Sequence, residues 1–498
     1  MSQHRRGETG LATDPTVYRT EGPCEAWRRG RKSDAGIESP YMPETPKMER
    51  ESMRRQQPEA VSMRPFAVTN RGVLSIAIPM TLAYLTTPML GLVDTAVVGQ
   101  FGDAALLGGL AAGALVFDVV FTTFNFLRSG TTGLVAQAFG RGDEIEEQAV
   151  FWRAFAIALA AGLVLAACAP LFSIVGIWFI GAEPGVNAAL DEYVGTRLLG
   201  APFALINYAI LGYVLGRGEG GLGLVLQLVL NGVNIALSIM LGLWLAWGVA
   251  GVAWGTVIGE FVAMLLGLAI VVARFSKSPR LPRERLLHAE PFWAMVSLNR
   301  DIMIRSFSLL AAFALFTRQG AQFGTLTLAA NAVLMNFFMI SGFFLDGFAT
   351  AAEQLAGRAV GARNAPAFRR AVWLTSIWGF GLAGIACAAF LLGGRELIAL
   401  ITTAEDIRDI ASIYLPWAAF TAVSGVLAFQ MDGVFIGATW STDMRNMMLL
   451  ALCVFVAAML ALTGPFGNHG LWAALHVFLI VRGLSLLAVL RLRLRRFR

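Results

Sequence analysis

The sequence predicts an all-α integral membrane protein: twelve transmembrane helices in two pseudo-symmetric lobes of six. Three observations carry this. Of the 498 residues, 56% are hydrophobic and only 14% charged, whereas a soluble domain needs roughly 25% charged residues to cover a surface that meets water. Apolar stretches of spanning length, about 20 residues each, follow one another from Val73 onward. Motifs of the first half also recur in the second at a near-constant offset. Together these exclude a disordered chain, a disulfide scaffold and an ordinary cytosolic enzyme.

Residues 1–62 are rich in Arg, Glu, Pro, Gly and Ser and show no apolar periodicity. Such a segment buries too little surface to offset chain entropy, and it lacks the apolar region of a secretory signal. Two readings stand: a disordered cytoplasmic tail, or a stretch upstream of a native start at Met63. The expected spans then run 73–97, 106–128, 149–172, 189–213, 222–246 and 249–273, followed by 302–323, 328–352, 370–392, 410–436, 446–463 and 470–490. Backbone polar groups in lipid must be satisfied within the segment, which makes each of these a helix. The second is expected to continue helical toward Phe139. Residues 63–273 form a first lobe, 274–300 a cytoplasmic linker with Pro279, Pro282 and Pro291, 301–490 a second lobe, and 491–498 a basic tail.

The net charge of +6 reflects orientation rather than nucleic-acid binding. Arg141, Arg217, the six basic residues between Arg274 and Arg300, Arg358 to Arg370, Arg445 and the C-terminal arginines fall in alternate loops. The intervening loops hold almost nothing basic. By the positive-inside rule both termini are cytoplasmic in a multi-pass protein of the plasma (inner) membrane.

The halves resemble each other. Gln100-Phe101-Gly102 recurs at Gln322-Phe323-Gly324, 222 residues on. Gly140 in "AFGRGD" matches Gly361 in "AVGARN", and Gly216 matches Gly437, each at 221, while Gly248 and Gly251 match Gly467 and Gly470 at 219. Six spans per half is even, so both repeats point the same way. Their pseudo-axis should run along the membrane normal, with substrate near the midplane between lobes.

Charges inside the membrane are costly and mark function. Asp94, beyond Pro79 and Pro88 in the first span, is expected to bind and release a proton; the bland alternative is an interfacial carboxylate facing water. Gln227, Asn231, Asn234 and Ser238 share one face of the fifth span, as interhelical glue or as substrate contacts. Gly251, Gly255, Gly259, Ala263 and Gly267 form a packing stripe in the sixth, beside which Thr256 and Glu260 are less easily explained by packing. Asn207 of the fourth span joins the same polar set. Asp346 and Glu353 share a face of the eighth span, Asp432 lies in the tenth and Asp118 in the second. Neither the four cysteines nor the four histidines have ligand spacing, so no metal is expected. The chain also lacks the catalytic motifs of a membrane transferase or protease.

The stretches "PMLGLVDTAVVG", "FNFLRSGTTGLVAQAFG", "RLLGAPFALINYAILGYVLG", "LAANAVLMNFFMISGFFLDGFATAAEQLAGRAVGAR" and "DGVFIGAT", in that order, resemble the multidrug and toxic compound extrusion (MATE) family, specifically its DNA-damage-inducible-F-like branch. The resemblance implies a central V-shaped cleft and export of small organic, often cationic, compounds in exchange for protons or Na+. It implies no cofactor beyond that gradient and no enzymatic activity, and a monomer in the bilayer is expected. It places Asp94 at the family's first-helix carboxylate and Asn234, Thr256 and Tyr193 in a first-lobe polar network. The chain departs from the family at Ser238, where many relatives carry a second Asp, so Asp94 must couple alone or with Glu260. Either arrangement favours a proton over sodium. The alternatives are a sodium-coupled antiporter and a lipid-linked saccharide flippase. The flippase would present cations to a pyrophosphate, whereas the membrane-interior residues here are mostly acidic or neutral, with Arg128, Arg197, Arg305 and Arg318 among the exceptions.

Overall fold

The computed structural model describes residues 66–496. The expected tail over 1–62, the alternative start at Met63 and the last two residues lie outside them. Among the described residues the regular elements are all helices. In the first half these are α1 (Asn70–Gly99), α2 (Ala104–Phe124), α3 (Phe126–Arg141), α4 (Glu144–Ala167), α5 (Ala169–Ile180), α6 (Pro184–Leu199), α7 (Ala201–Gly216), α8 (Gly220–Leu237) and α9 (Gly248–Phe275). A short α10 (Arg283–Leu287) leads into α11 (Ala289–Ala321), α12 (Thr325–Gly361), α13 (Ala365–Ile401), α14 (Glu405–Gly437) and α15 (Ser441–Arg496).

These helices make twelve passes. The second pass is α2 run on into α3, and the third is α4 with α5. The fourth is α6 and α7, bent by 51° at Gly200. The fifth is α8 prolonged by a π-helical turn, Ser238–Trp244, and α15 supplies two passes because Gly467 (φ 55°) breaks it. Several passes exceed the expected 20 residues; α12 has 37. At the end that carries the basic loops, Arg141 and Arg358 sit in final helical turns.

The expected linker 274–300 is largely helical, which corrects the reading of it as a loop. Its charges suggested solvent, but Met295 and Leu298 are buried, so the first turns of α11 are an amphipathic helix laid on the bundle. The segment before α11 is tied down: Gln148 Nε2 donates to the Pro279 carbonyl at 3.0 Å, and Arg153 Nε to that of Leu286 in α10 at 3.3 Å.

The repeat is written in the backbone more clearly than in the sequence. Left-handed residues pair between halves: Gly102 with Gly324, Gly142 with Arg363, Gly218 with Thr439, Gly248 with Gly467. Two of the second-half partners are not glycine, although an L side chain at positive φ is disfavoured. The third and ninth passes also start alike, Asp143 accepting from Glu146 N at 3.0 Å and Asn364 from Ala367 N at 2.9 Å. Such N-caps satisfy amides that a helix start leaves open.

One apolar cluster is built from the first half together with Met295 of α11, and a second lies wholly in the second half. A third mixes both, joining Val73, Ile76 and Ala77 of α1 to Phe348 and Ala351 of α12 and Val434 of α14. This third cluster sits at the basic end and forms the seam between lobes. Glycines set its spacing reciprocally. A Cβ on Gly140 would meet the Arg358 carbonyl at 2.2 Å, and one on Gly361 the Gln137 carbonyl at 2.0 Å. Gln137 Nε2 donates across it to the Gly437 carbonyl at 3.1 Å and to Thr439 Oγ1 at 3.0 Å. Away from this end the lobes part into the V-shaped cleft.

Within the first lobe, the α9 stripe packs as expected. A Cβ on Gly251 would lie 2.5 Å from Gly242 N, and one on Gly255 2.7 Å from Ser238 N. This contact fixes Thr256 and Glu260 against α8.

Gly361→Val is expected to hold the basic end apart. A cysteine introduced at fully buried Ala136, in a cysteine-free background, should then label with an impermeant maleimide. Gly381→Val, whose added Cβ meets nothing within 4 Å, should leave Ala136 protected; equal labelling in both variants would refute the seam.

Candidate functional site

Between α1, α2, the α6–α7 bend, α8 and α9 lies a cavity of about 590 Å³, within the size range of small-molecule sites, ≈ 300–1,000 Å³. Asp94, Tyr193, Asn207, Gln227, Asn231, Asn234, Thr256 and Glu260 all line it. Ser238 does not. It is fully buried behind the wall, donating its hydroxyl to Asn234 Oδ1 at 3.0 Å.

Asp94 lies in α1 beyond Pro88, 9% exposed, and its Oδ1 has no hydrogen-bond partner among the described residues. Glu260 is differently placed. Its Oε1 receives Arg197 Nη1 at 3.0 Å, and both side chains are under a tenth exposed. The Arg197 guanidinium also lies 3.8 Å from the ring centre of Phe117, and Phe117 stacks on Phe121 at 3.9 Å. The expectation that Asp94 couples alone or with Glu260 therefore meets, at Glu260, a carboxylate already holding a cation.

The polar residues divide between glue and lining. Gln227 Nε2 donates to Asn231 Oδ1 at 3.3 Å, and Asn231 Nδ2 donates to Thr86 Oγ1 at 2.6 Å, tying α8 to α1. Asn207 Nδ2 donates to the Glu260 carbonyl at 2.8 Å, tying α7 to α9. Thr256 returns its hydroxyl to the Val252 carbonyl at 3.1 Å. Asn234 keeps an unpartnered Nδ2.

Sequence reasoning placed Asp118 and Arg197 in the membrane without assigning them to the site; both line the cavity, as do Phe117, Phe121 and Tyr208. The signal was present in α2. Leu110, Ala114, Phe117, Asp118 and Phe121 recur at helical spacing, one carboxylate on an otherwise apolar face. The cavity thus holds Asp94, Asp118 and Glu260 against Arg197, an excess of two negative charges that favours cations. Its rings suit an organic cation.

The second-lobe carboxylates form a separate cluster around about 170 Å³ near the seam. Arg305 and Arg482 both donate to Asp432 Oδ2, so Asp432 is capped by two guanidiniums. Arg128, from the first lobe, lies 3.8 Å from Glu353. Asp346 opens to the space between. Tyr84 of α1 hydrogen-bonds Thr350 of α12 at 3.0 Å. Three carboxylates meet three guanidiniums, and the cluster is balanced.

Comparison with known proteins gives one family. The MatE family description matches residues 79–240 and again 302–463, once in each half. The chain is 36% identical over 434 residues to DNA damage-inducible protein F of Escherichia coli (strain K12), covering 86% of this chain and 94% of that one. It is 26% identical to a probable multidrug resistance protein NorM of Rhizobium meliloti (strain 1021), covering 84% and 91%. Among solved structures it resembles an outward-facing multidrug resistance MATE family transporter of the MOP superfamily, with TM-score 0.78 at 18% identity, covering 86% and 96%. A MATE in a bent conformation matches with TM-score 0.77 at 18% identity, covering 87% and 99%. The paired match, the long identity and the shared twelve-pass fold place this chain in the MatE family of multidrug efflux transporters, on the branch of DNA damage-inducible protein F.

Proposed function

We propose that the chain is a secondary active exporter of small organic cations, driven by inward movement of protons, with Asp94 as the coupling group. The observation that carries this is Asp94 itself: a nearly buried carboxyl on the cavity wall whose Oδ1 has no hydrogen-bond partner among the described residues. A proton needs one such group. A sodium ion needs several oxygens converging on a point, and Glu260 is held by Arg197. The negative excess of the cavity also favours cationic cargo over the pyrophosphate of a lipid-linked saccharide.

In this reading the basic end is cytoplasmic, both termini included, and the protein works as a monomer in the inner membrane without a cofactor. Ionised Asp94 favours the state that accepts cargo from the cytoplasm. A proton entering from outside neutralises it, alters its hydrogen bonds and lowers affinity for the cation, which leaves. Each proton moving inward down the membrane potential supplies about 2.3 kcal/mol per 100 mV, which the outward move of one monovalent cation offsets, so a one-for-one exchange is driven by the pH difference. Tyr193, Gln227, Asn231, Asn234 and Thr256 shape the cavity around that exchange, and Ser238 acts through Asn234. Asp346, Glu353 and Asp432, balanced by arginines, belong to the closing of the seam.

Ethidium flux in proteoliposomes tests the reading. Collapsing the proton gradient should abolish uphill export, and collapsing a sodium gradient should not. Asp94→Asn should lose coupled export at least a hundredfold while remaining monodisperse in detergent. Retained export would remove Asp94 from the mechanism.

The ion pair gives a separate expectation. Glu260→Gln should lower stability by about 3–5 kcal/mol, because it strands a buried guanidinium. The double variant Arg197→Met/Glu260→Leu should recover much of that loss in a thermal melt, since replacing a buried pair by apolar groups is often neutral. A Glu260→Gln protein with wild-type melting and no export would instead make Glu260 a coupling group.

A further inference from the structure

We propose that Asp118 of α2 is the fixed anion that receives the positive charge of the transported compound, leaving Asp94 to the coupling ion. This rests on the organic-cation export reading above and assigns the substrate's charge to a residue outside the set drawn from the family resemblance.

The first observation is a charge balance. Four ionisable side chains of fixed sign line the cavity: Asp94, Asp118, Glu260 and Arg197. Arg197 is bonded to Glu260 and lies over Phe117, and these two charges cancel locally. Two carboxylates remain. They differ in placement, for Asp94 is nearly buried with an unpartnered oxygen, while Asp118 is exposed and open to the cavity. Among the described residues Asp118 makes no hydrogen bond or ion pair, although it lines a cavity wall that is otherwise largely apolar.

The second observation is the surroundings. Phe117 and Phe121 stand on the same face of α2, Tyr193 and Tyr208 face them from α6 and α7, and Phe343 closes the side toward the other lobe. A carboxylate among aromatic rings is the arrangement that recognises an organic ammonium, whose charge meets the anion and whose flat body meets the rings. The predicted class is a monovalent, aromatic or amphipathic organic cation.

The third observation concerns the departure at Ser238. The first lobe lacks a second carboxylate on the fifth pass, but it has one on the second. Asp118 supplies that charge from the opposite wall, where it faces the space a substrate would fill rather than the α8–α9 contact. Two carboxylates in two environments can then hold two different cations. Asp118 can receive the cargo's charge while Asp94 is ionised, and a proton taken up by Asp94 then lowers the negative charge of the cavity and with it the affinity for the cargo.

The test compares ethidium with an uncharged phenanthridine of similar shape, binding to the full chain in nanodiscs and moving in proteoliposomes. In the wild type ethidium should bind at least tenfold more tightly than the neutral compound. Asp118→Asn should close that gap, raising Kd and KM for ethidium at least tenfold, about 1.4 kcal/mol. Its kcat should stay within twofold, and Asp118→Glu should restore the preference. Asp94→Asn should do the reverse, losing turnover while keeping the gap. If Asp118→Asn binds ethidium as the wild type does, or weakens both compounds equally, the assignment of Asp118 is overturned and the export reading stands. If the wild type shows no preference for the cation, the export reading itself fails and the assignment fails with it.

Discussion

The Arg197–Glu260 pair fixes the charge of the first-lobe cavity, and most of what the cavity can do depends on it. Either charge alone would be expensive in so dry a place, and desolvation of both is offset only by close contact and further bonding. The pair meets at 3.0 Å, lies against the Phe117 ring, and stands where Asn207 bonds the Glu260 carbonyl. It therefore joins α6, α7, α9 and α2 at the bend of the fourth pass. Because the pair is neutral, the excess negative charge of the cavity belongs to Asp94 and Asp118. Without Arg197, three carboxylates would crowd one apolar chamber. Without Glu260, the guanidinium would be free to claim the carboxylate that a cargo needs.

The two lobes share a backbone plan but not a charge plan. Their left-handed turns, caps and seam glycines repeat at offsets of 219 to 222, and the seam is reciprocal down to Gly140 on Arg358 and Gly361 on Gln137. Yet the first lobe keeps an uncompensated pair of carboxylates, whereas the second sets Arg305 and Arg482 on Asp432. Its balance is completed only by Arg128, which crosses the seam from α3 toward Glu353. Parting the lobes at the basic end would take Arg128 away and leave the second-lobe cluster one positive charge short. Closing that end is thus favoured by charge as well as by packing.

The helices and the repeat were legible because lipid leaves the backbone few options and because glycine at a close contact is hard to replace. The passes run longer than expected where hydropathy falls but helical bonding continues, as in the amphipathic start of α11. Where the repeat had lost its glycines, at Arg363 and Thr439, the sequence pattern faded although the turn survived. For the site, a carboxylate in the first pass and a polar face on the fifth were enough to find one wall. Arg197 was visible as a membrane arginine, but its partner lies 63 residues on, and nothing in the intervening pattern announces the contact. Ser238 looked like a lining residue because it shares the face of Asn234, yet it is fully buried, with its hydroxyl turned back to Asn234.

Asp94 and Asp118 cannot exchange roles, and the reason is burial rather than residue type. A group that couples to a proton must feel a large difference between its charged and neutral forms, which requires poor solvation and few fixed partners. Asp94 meets both conditions on the inner wall of α1. A group that holds a cation by charge must stay charged while the cargo arrives and departs, which requires access to water; Asp118 is exposed. Placing both carboxylates on the fifth and first passes, as a paired ion site would, couples their protonation through mutual repulsion. Placing the second on α2, across the chamber and beside the rings, loosens that coupling. A cargo neutralised by Asp118 then leaves Asp94 able to answer the proton gradient, and the chamber can lose one cation to the outside as it accepts the other.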